Sequence, residues 1–228
     1  MSCLLFDLRR WLRHPGLVAT WLSLVVLGGV LSWLDPESAM PFFAPLLAVF
    51  LAAADTAEGL RRGAWDFLVS RGPAIERWLT ARFGFAVAAS AVVLAAHLGA
   101  NVAAGGTSPK EVFAWVATMV YWAGVGVAVS FWLPAAAAVT LAVLTTVLGS
   151  WWVLSGCLWL TGLPAQEVPW LSKGIMTALT VWPVGGVPEL LGTTSWGWEA
   201  VRLLGGLALL ALAARHAARR PLLPREEG

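Results

Sequence analysis

Charge is what this chain has least of. Only 12% of its 228 residues are Asp, Glu, Lys or Arg, against about 25% in an ordinary soluble domain. Lysine is reduced to Lys110 and Lys173, tyrosine to Tyr121 and cysteine to Cys3 and Cys157. Each shortage excludes something. A soluble helical core of this composition would lack the polar surface to cover it. Two cysteines on different segments give no disulfide framework, and both read as small apolar residues. No G-x-x-x-x-G-K-[ST] run occurs, so the chain has no phosphate-binding loop of its own, and the zinc-protease pattern H-E-x-x-H is also missing. No cleavable secretory signal is expected: the first apolar run follows an amphipathic segment and precedes no mature soluble domain.

Apolar residues dominate instead. They make up 59% of the chain, with a mean hydropathy of +0.76 and fifteen tryptophans. The composition is that of an integral membrane protein. A transmembrane helix needs about 20 apolar residues. That length selects six spans, at 17–34, 39–54, 83–103, 112–133, 135–162 and 198–214. Asp35-Pro36-Glu37 separates the first two, and Pro134 divides the fourth from the fifth. The expected fold is all-α and polytopic, a single transmembrane domain over 1–228.

Lys and Arg set the expected topology. Arg9, Arg10 and Arg13 precede the first span, five arginines lie between 55 and 82, and Arg215, Arg219, Arg220 and Arg225 follow the last. The other side holds Lys110, Lys173 and Arg202. Twelve against three places both termini and the 55–82 loop in the cytoplasm. Residues 1–14 read as an interfacial helix, with Leu4, Leu5, Leu8, Trp11 and Leu12 on one face and charge on the other. Residues 163–197 are apolar but broken by Pro164, Pro169, Pro183, Pro188 and Gly185-Gly186. Short helices re-entering the outer leaflet fit that segment better than a seventh span. Residues 215–228 form a basic cytoplasmic tail.

The spans hold little chemistry. His97, near the outer end of the third span, is the only ionisable side chain within the first five, and a lone histidine there reads first as a packing residue. Proton- or sodium-coupled transport lacks its usual coupling groups. Ser155-Gly156 is a weak hydrolase signal, because small residues commonly serve close helix packing. Gly28-Gly29, Gly124, Gly126, Gly149, Gly156 and Gly205-Gly206 point to such packing, within one chain or across a dimer.

The exception to this plainness is "DTAEGLRRGAWDFLVSRGPAIERWLTARF", residues 55–83. Trp65, Phe67 and Leu68 lie among Arg61, Arg62, Asp66 and Arg71, and Gly63 and Gly72-Pro73 bracket a short helix over 64–70. Pro73 suits the first turn of a second helix, with Ile75, Trp78 and Leu79 on one face. Aromatic anchors rimmed by charge make a docking surface; an amphipathic pair lying on lipid is the simpler alternative. The pattern E-G-x-x-x-G-x-x-[DE]-x-L followed by Ser, Pro and Arg is met here by Glu58, Gly59, Gly63, Asp66, Leu68, Ser70, Pro73 and Arg77, and Arg82 takes the place of a Lys. With this placement between the second and third spans, the chain resembles the membrane subunits of ATP-binding cassette transporters of the type-2 exporter class. Gly63-Ala64-Trp65-Asp66 stands where that family often has Gly-Thr-Leu-Glu, and the proline falls slightly late.

The resemblance implies an N-terminal amphipathic elbow helix, six spans, a cytoplasmic coupling helix and re-entrant outer helices. It implies a chain that is not itself an enzyme and holds no cofactor, with ATP and Mg bound by a separate ATPase subunit. The implied partners are that ATPase, a second permease copy or homologous permease, and the lipid bilayer of a bacterial-type inner membrane; no nucleic acid is expected. The docking residues would be Glu58, Gly59, Arg62, Gly63, Trp65, Asp66, Phe67, Leu68, Arg71 and Arg77, and the elbow residues Leu4, Leu8, Trp11 and Leu12. An apolar pathway favours an amphipathic or lipid-like cargo. A haem-exporter-like membrane subunit is a close variant, a membrane scaffold recruiting another cytoplasmic protein a second class, and an intramembrane hydrolase a third.

Overall fold

A computed structural model describes residues 9, 11–34, 43–61, 75–103, 108–131, 133, 136–137, 140 and 196–219. Among them lie five long helices and no strand: α1 (Pro15–Leu34), α2 (Phe43–Arg61), α3 (Ile75–Ala103), α4 (Pro109–Val129) and α5 (Trp196–Arg219). The spans Pro15–Leu34, Ile75–Gly99, Pro109–Val129 and Glu199–Ala218 are long and apolar enough to cross a membrane, while α2 offers a shorter apolar stretch, Phe43–Ala57. The described residues are therefore all-helical, with four candidate membrane helices among them. The expected spans 39–54 and 135–162 stand differently: the first is only partly matched, and the second lies almost wholly outside the described residues, as do 163–195 and 220–228.

Helix ends differ from the apolar runs for a physical reason. A backbone stays helical through charged residues, so the helices outrun the hydrophobic stretches. The second, described from Phe43, continues beyond 54 through Asp55 and Glu58 to Arg61, and the third is already helical at Ile75, ahead of 83. Most of the described part of the 55–82 loop is thus stem of α2 and α3. The fourth begins at a capping box rather than at Val112. The Ser108 hydroxyl accepts from the Glu111 amide at 3.3 Å, and the Glu111 carboxylate accepts from the Ser108 amide at 2.9 Å. Pro109 fills the first helical position, where no amide is needed.

The contacts fix the helix directions. Trp11 meets Phe85, the Trp21 indole donates to Ala89 O at 2.9 Å, and Gly28 faces His97, so α1 and α3 run parallel. Asp55 pairs with Arg82 and Gly59 lies on Trp78, which makes α2 and α3 an antiparallel hairpin. Phe113–Trp196, Gly124–Gly206 and Phe131–His216 contacts show α4 and α5 running parallel. Val49 packs on Trp122 and meets Gly126. One end of the bundle therefore gathers Arg13, Arg77, Arg82, Arg215 and the exit of α2, while Lys110 and Arg202 lie towards the other. Because α4 and α5 are parallel, the chain between them has to return from one end to the other.

The centre of the bundle is α4. Two residues along a helix turn about 200°, so Gly124 and Gly126 face opposite neighbours. A Cβ on Gly124 would overlap the backbone of Gly206, and one on Gly206 would lie 2.7 Å from Val120 O. On the other side a Cβ on Gly126 would lie 2.8 Å from Val49 O. Ala48, Ala52 and Ala53 on α2 and Ala213 and Ala217 on α5 are buried, continuing both seams in small residues. By contrast α1 sits on the rim, with only Gly28 and Ser32 buried, and Leu22, Val26, Leu27 and Val30 form an exposed apolar face.

Gly124→Val, Gly206→Val and Gly126→Leu should each destabilise the detergent-solubilised protein by about 1–3 kcal/mol, the usual cost of overpacking. Gly99→Ala, where nothing lies within 4 Å of the added methyl, should leave the melting temperature nearly unchanged. Thermal unfolding followed by tryptophan fluorescence or circular dichroism would measure both.

Candidate functional site

The two stems of the charged segment meet at the basic end of the bundle. On α3, Ile75, Trp78, Leu79, Arg82 and Phe83 repeat at three- and four-residue spacing, so they share one face. All five are buried against the core. Ile75, Trp78 and Leu79 do lie on one face, as the sequence suggests, but on a buried one continuous with α3 rather than on a docking face. Glu76, Arg77 and Thr80 occupy the exposed side.

Between the stems, the Arg82 Nη1 donates to Asp55 Oδ2 in an ion pair. Arg82 is 5% exposed and Asp55 24%, so the cation is far deeper than its partner. The Arg82 Cζ also lies 5.2 Å from the Trp78 ring centroid, close enough for a cation–π attraction. Trp78 in turn rests on Gly59, where any Cβ would collide with the indole. Thr56, fully buried, closes the α2 side. Ion pair, indole and glycine form a continuous stack joining α2 to α3.

The docking residues expected from sequence divide accordingly. Gly59 is a packing position inside the stack, Arg77 is exposed on the α3 stem, and Glu58 lies on the last turns of α2. Arg62, Gly63, Trp65, Asp66, Phe67, Leu68 and Arg71 lie outside the described residues, as do Leu4 and Leu8 of the expected elbow. Of the other elbow residues, Leu12 is exposed. Trp11 turns inward, edge-on to Trp21 at 5.4 Å and to Phe85 at 5.7 Å between centroids. These ring contacts anchor Trp11 onto α1 and α3.

Sequence reading passed over a second buried charge pair, at the far end of the bundle. Arg202 Nη1 donates to both Glu199 carboxylate oxygens, at 3.2 and 3.3 Å, with Glu199 fully buried and Arg202 5% exposed. The signal was the Glu–Arg spacing of three on one helix face. It was hidden because Glu199 falls at the polar edge of an apolar run. His97 is also buried, against Gly28, in keeping with a packing residue. Among the described residues no group of three or more His, Cys, Asp or Glu could hold a metal ion. No protein-family model, curated protein or solved structure matches the chain.

Removing one member of a buried pair strands the other, at about 3–5 kcal/mol when both are fully buried. With Asp55 partly exposed, Asp55→Ala should cost about 2–3 kcal/mol. Asp55→Ala combined with Arg82→Leu should recover most of that loss. Denaturant unfolding in detergent would reveal the non-additivity.

Proposed function

We propose that the chain is the membrane-spanning permease subunit of an ATP-binding cassette exporter. The observation that supports this best is the sequence pattern Glu58, Gly59, Gly63, Asp66, Leu68, Ser70, Pro73 and Arg77, which begins on α2 and ends on α3, two helices whose facing ends meet at the arginine-rich end of an apolar bundle. The positive-inside rule assigns that end to the cytoplasm. A cytoplasmic ATPase would dock there, with Trp65, Phe67 and Leu68 as apolar anchors and Arg62, Asp66, Arg71 and Arg77 at the rim. The fifth and sixth spans of the permease reading are 135–162 and α5, and the return of the chain between α4 and α5 is compatible with a crossing at 135–162.

The energetic logic is simple. The sequence has no nucleotide-binding motif and few ionisable groups within its spans, so neither ATP hydrolysis nor an ion gradient has an obvious seat in the chain. A partner ATPase holding ATP and Mg would supply the work. Two permease copies, or one with a homologue, would enclose the pathway, and the apolar surroundings favour an amphipathic or lipid-like cargo.

The full-length protein, purified in detergent from its source membrane, should bring down an ATPase. Trp65→Ala and Asp66→Lys should each lower its recovery about tenfold or more, as for interface hot spots. Recovery of a non-ATPase cytoplasmic protein through the same residues would favour the scaffold reading instead, and recovery of no partner at all would sink the permease.

A further inference from the structure

We propose that the Asp55–Arg82 ion pair, seated on the Trp78–Gly59 contact, is a latch that makes α2 and α3 move as one body when the partner ATPase acts. This rests on the permease reading above and assigns positioning residues within it. A segment strung between two helices can transmit a push in two ways: it can splay the helices apart, or drive them together. The residues at the junction decide which.

Two features favour joint motion. First, both stems are helical without interruption from the junction into the bundle: α3 runs for 29 residues from Ile75, about 44 Å at 1.5 Å per residue. Displacement at Ile75 thus reaches the opposite end of the bundle. Second, the link between stems combines a directional ion pair with a rigid steric contact. Arg82 is gripped from one side by Asp55 and from another by the Trp78 ring. Gly59 lets the indole lie against the α2 backbone, which resists sliding along the helices.

The consequence extends past the hairpin. Joined to α3, α2 passes the motion to α4 through the Val49–Gly126 contact, and α4 passes it to α5 through Gly124–Gly206. Without the latch, α3 would move and α2 would lag, and α4 would receive the motion from α3 alone rather than from both stems. A merely structural ion pair would affect yield and melting temperature only. A latch affects how the stem separation responds to nucleotide.

The test uses the full permease–ATPase complex in lipid nanodiscs. Spin labels are placed at Phe50→Cys on α2 and Thr80→Cys on α3, both exposed positions, with Cys3 and Cys157 replaced by Ser. Pulsed electron paramagnetic resonance then compares the nucleotide-free and vanadate-trapped states. With the latch intact, the separation should be the same in both. In Asp55→Asn, with ATPase still bound, it should shift by more than about 2 Å on trapping, the scale of helix displacements in switching proteins. Exchange of the pair, Asp55→Arg with Arg82→Asp, should restore the invariant distance. Asp55→Glu, which keeps the charge, should behave as the parent. With the milder Arg82→Lys, which loses the planar guanidinium but keeps its charge, the shift should be intermediate. A separation that moves in the parent, or stays fixed in Asp55→Asn or Arg82→Lys, overturns the latch alone. A parent chain that recruits no ATPase overturns the permease reading and the latch with it.

Discussion

The bundle depends on how closely other backbones can approach α4. Within lipid, helix association gains little from the hydrophobic effect, because the acyl chains are as apolar as the side chains. What remains is van der Waals contact and the occasional polar bond, and both weaken steeply with distance. Gly124 and Gly126 remove the side chain on two opposite sides of one helix, so α5 and α2 can both come to backbone distance. Polar interactions then refine the arrangement at its edges: Asp55–Arg82 at one end, Glu199–Arg202 at the other, and the Trp21 indole on Ala89 O along the rim.

This division of labour explains the distribution of residue types. Bulky apolar side chains such as Leu22, Val26 and Leu204 face outward, where nothing demands a close fit. Alanine, glycine and serine collect between helices. Among the described residues, the buried arginines and glutamate (Arg82, Arg202 and Glu199) each meet an opposite charge on a neighbouring turn or helix, as expected when an isolated ion would be costly.

How much of this was legible in the sequence follows from the same physics. Long apolar runs require helices in a membrane, so α1, α3, α4 and α5 could be located from composition. The ends of α2 and α3 could not, because Asp55, Glu58, Glu76 and Arg77 are compatible with a helix although they interrupt the hydrophobicity. The cap at Ser108-Pro109-Lys110-Glu111 was a readable start signal that a hydropathy window averages away. Glycine doublets announced close packing without saying which helix would approach. Gly59 read as part of a docking motif, and only the position of Trp78 gives it a steric role. Pairings such as Asp55 with Arg82 depend on a hairpin closing across 27 positions, which no local pattern encodes.

The parallel course of α4 and α5 bears on how such a chain is made. Helices that are neighbours in space are here separated in sequence by everything from Ser130 to Ser195. At a synthesis rate of about 5–20 residues per second, α5 would emerge on the order of several seconds after α4. During that interval the side of α4 around Gly124 has no native partner, and its bare backbone is open to lipid or to other helices. The helix that organises the bundle is thus completed well before the helix that packs on its Gly124 side.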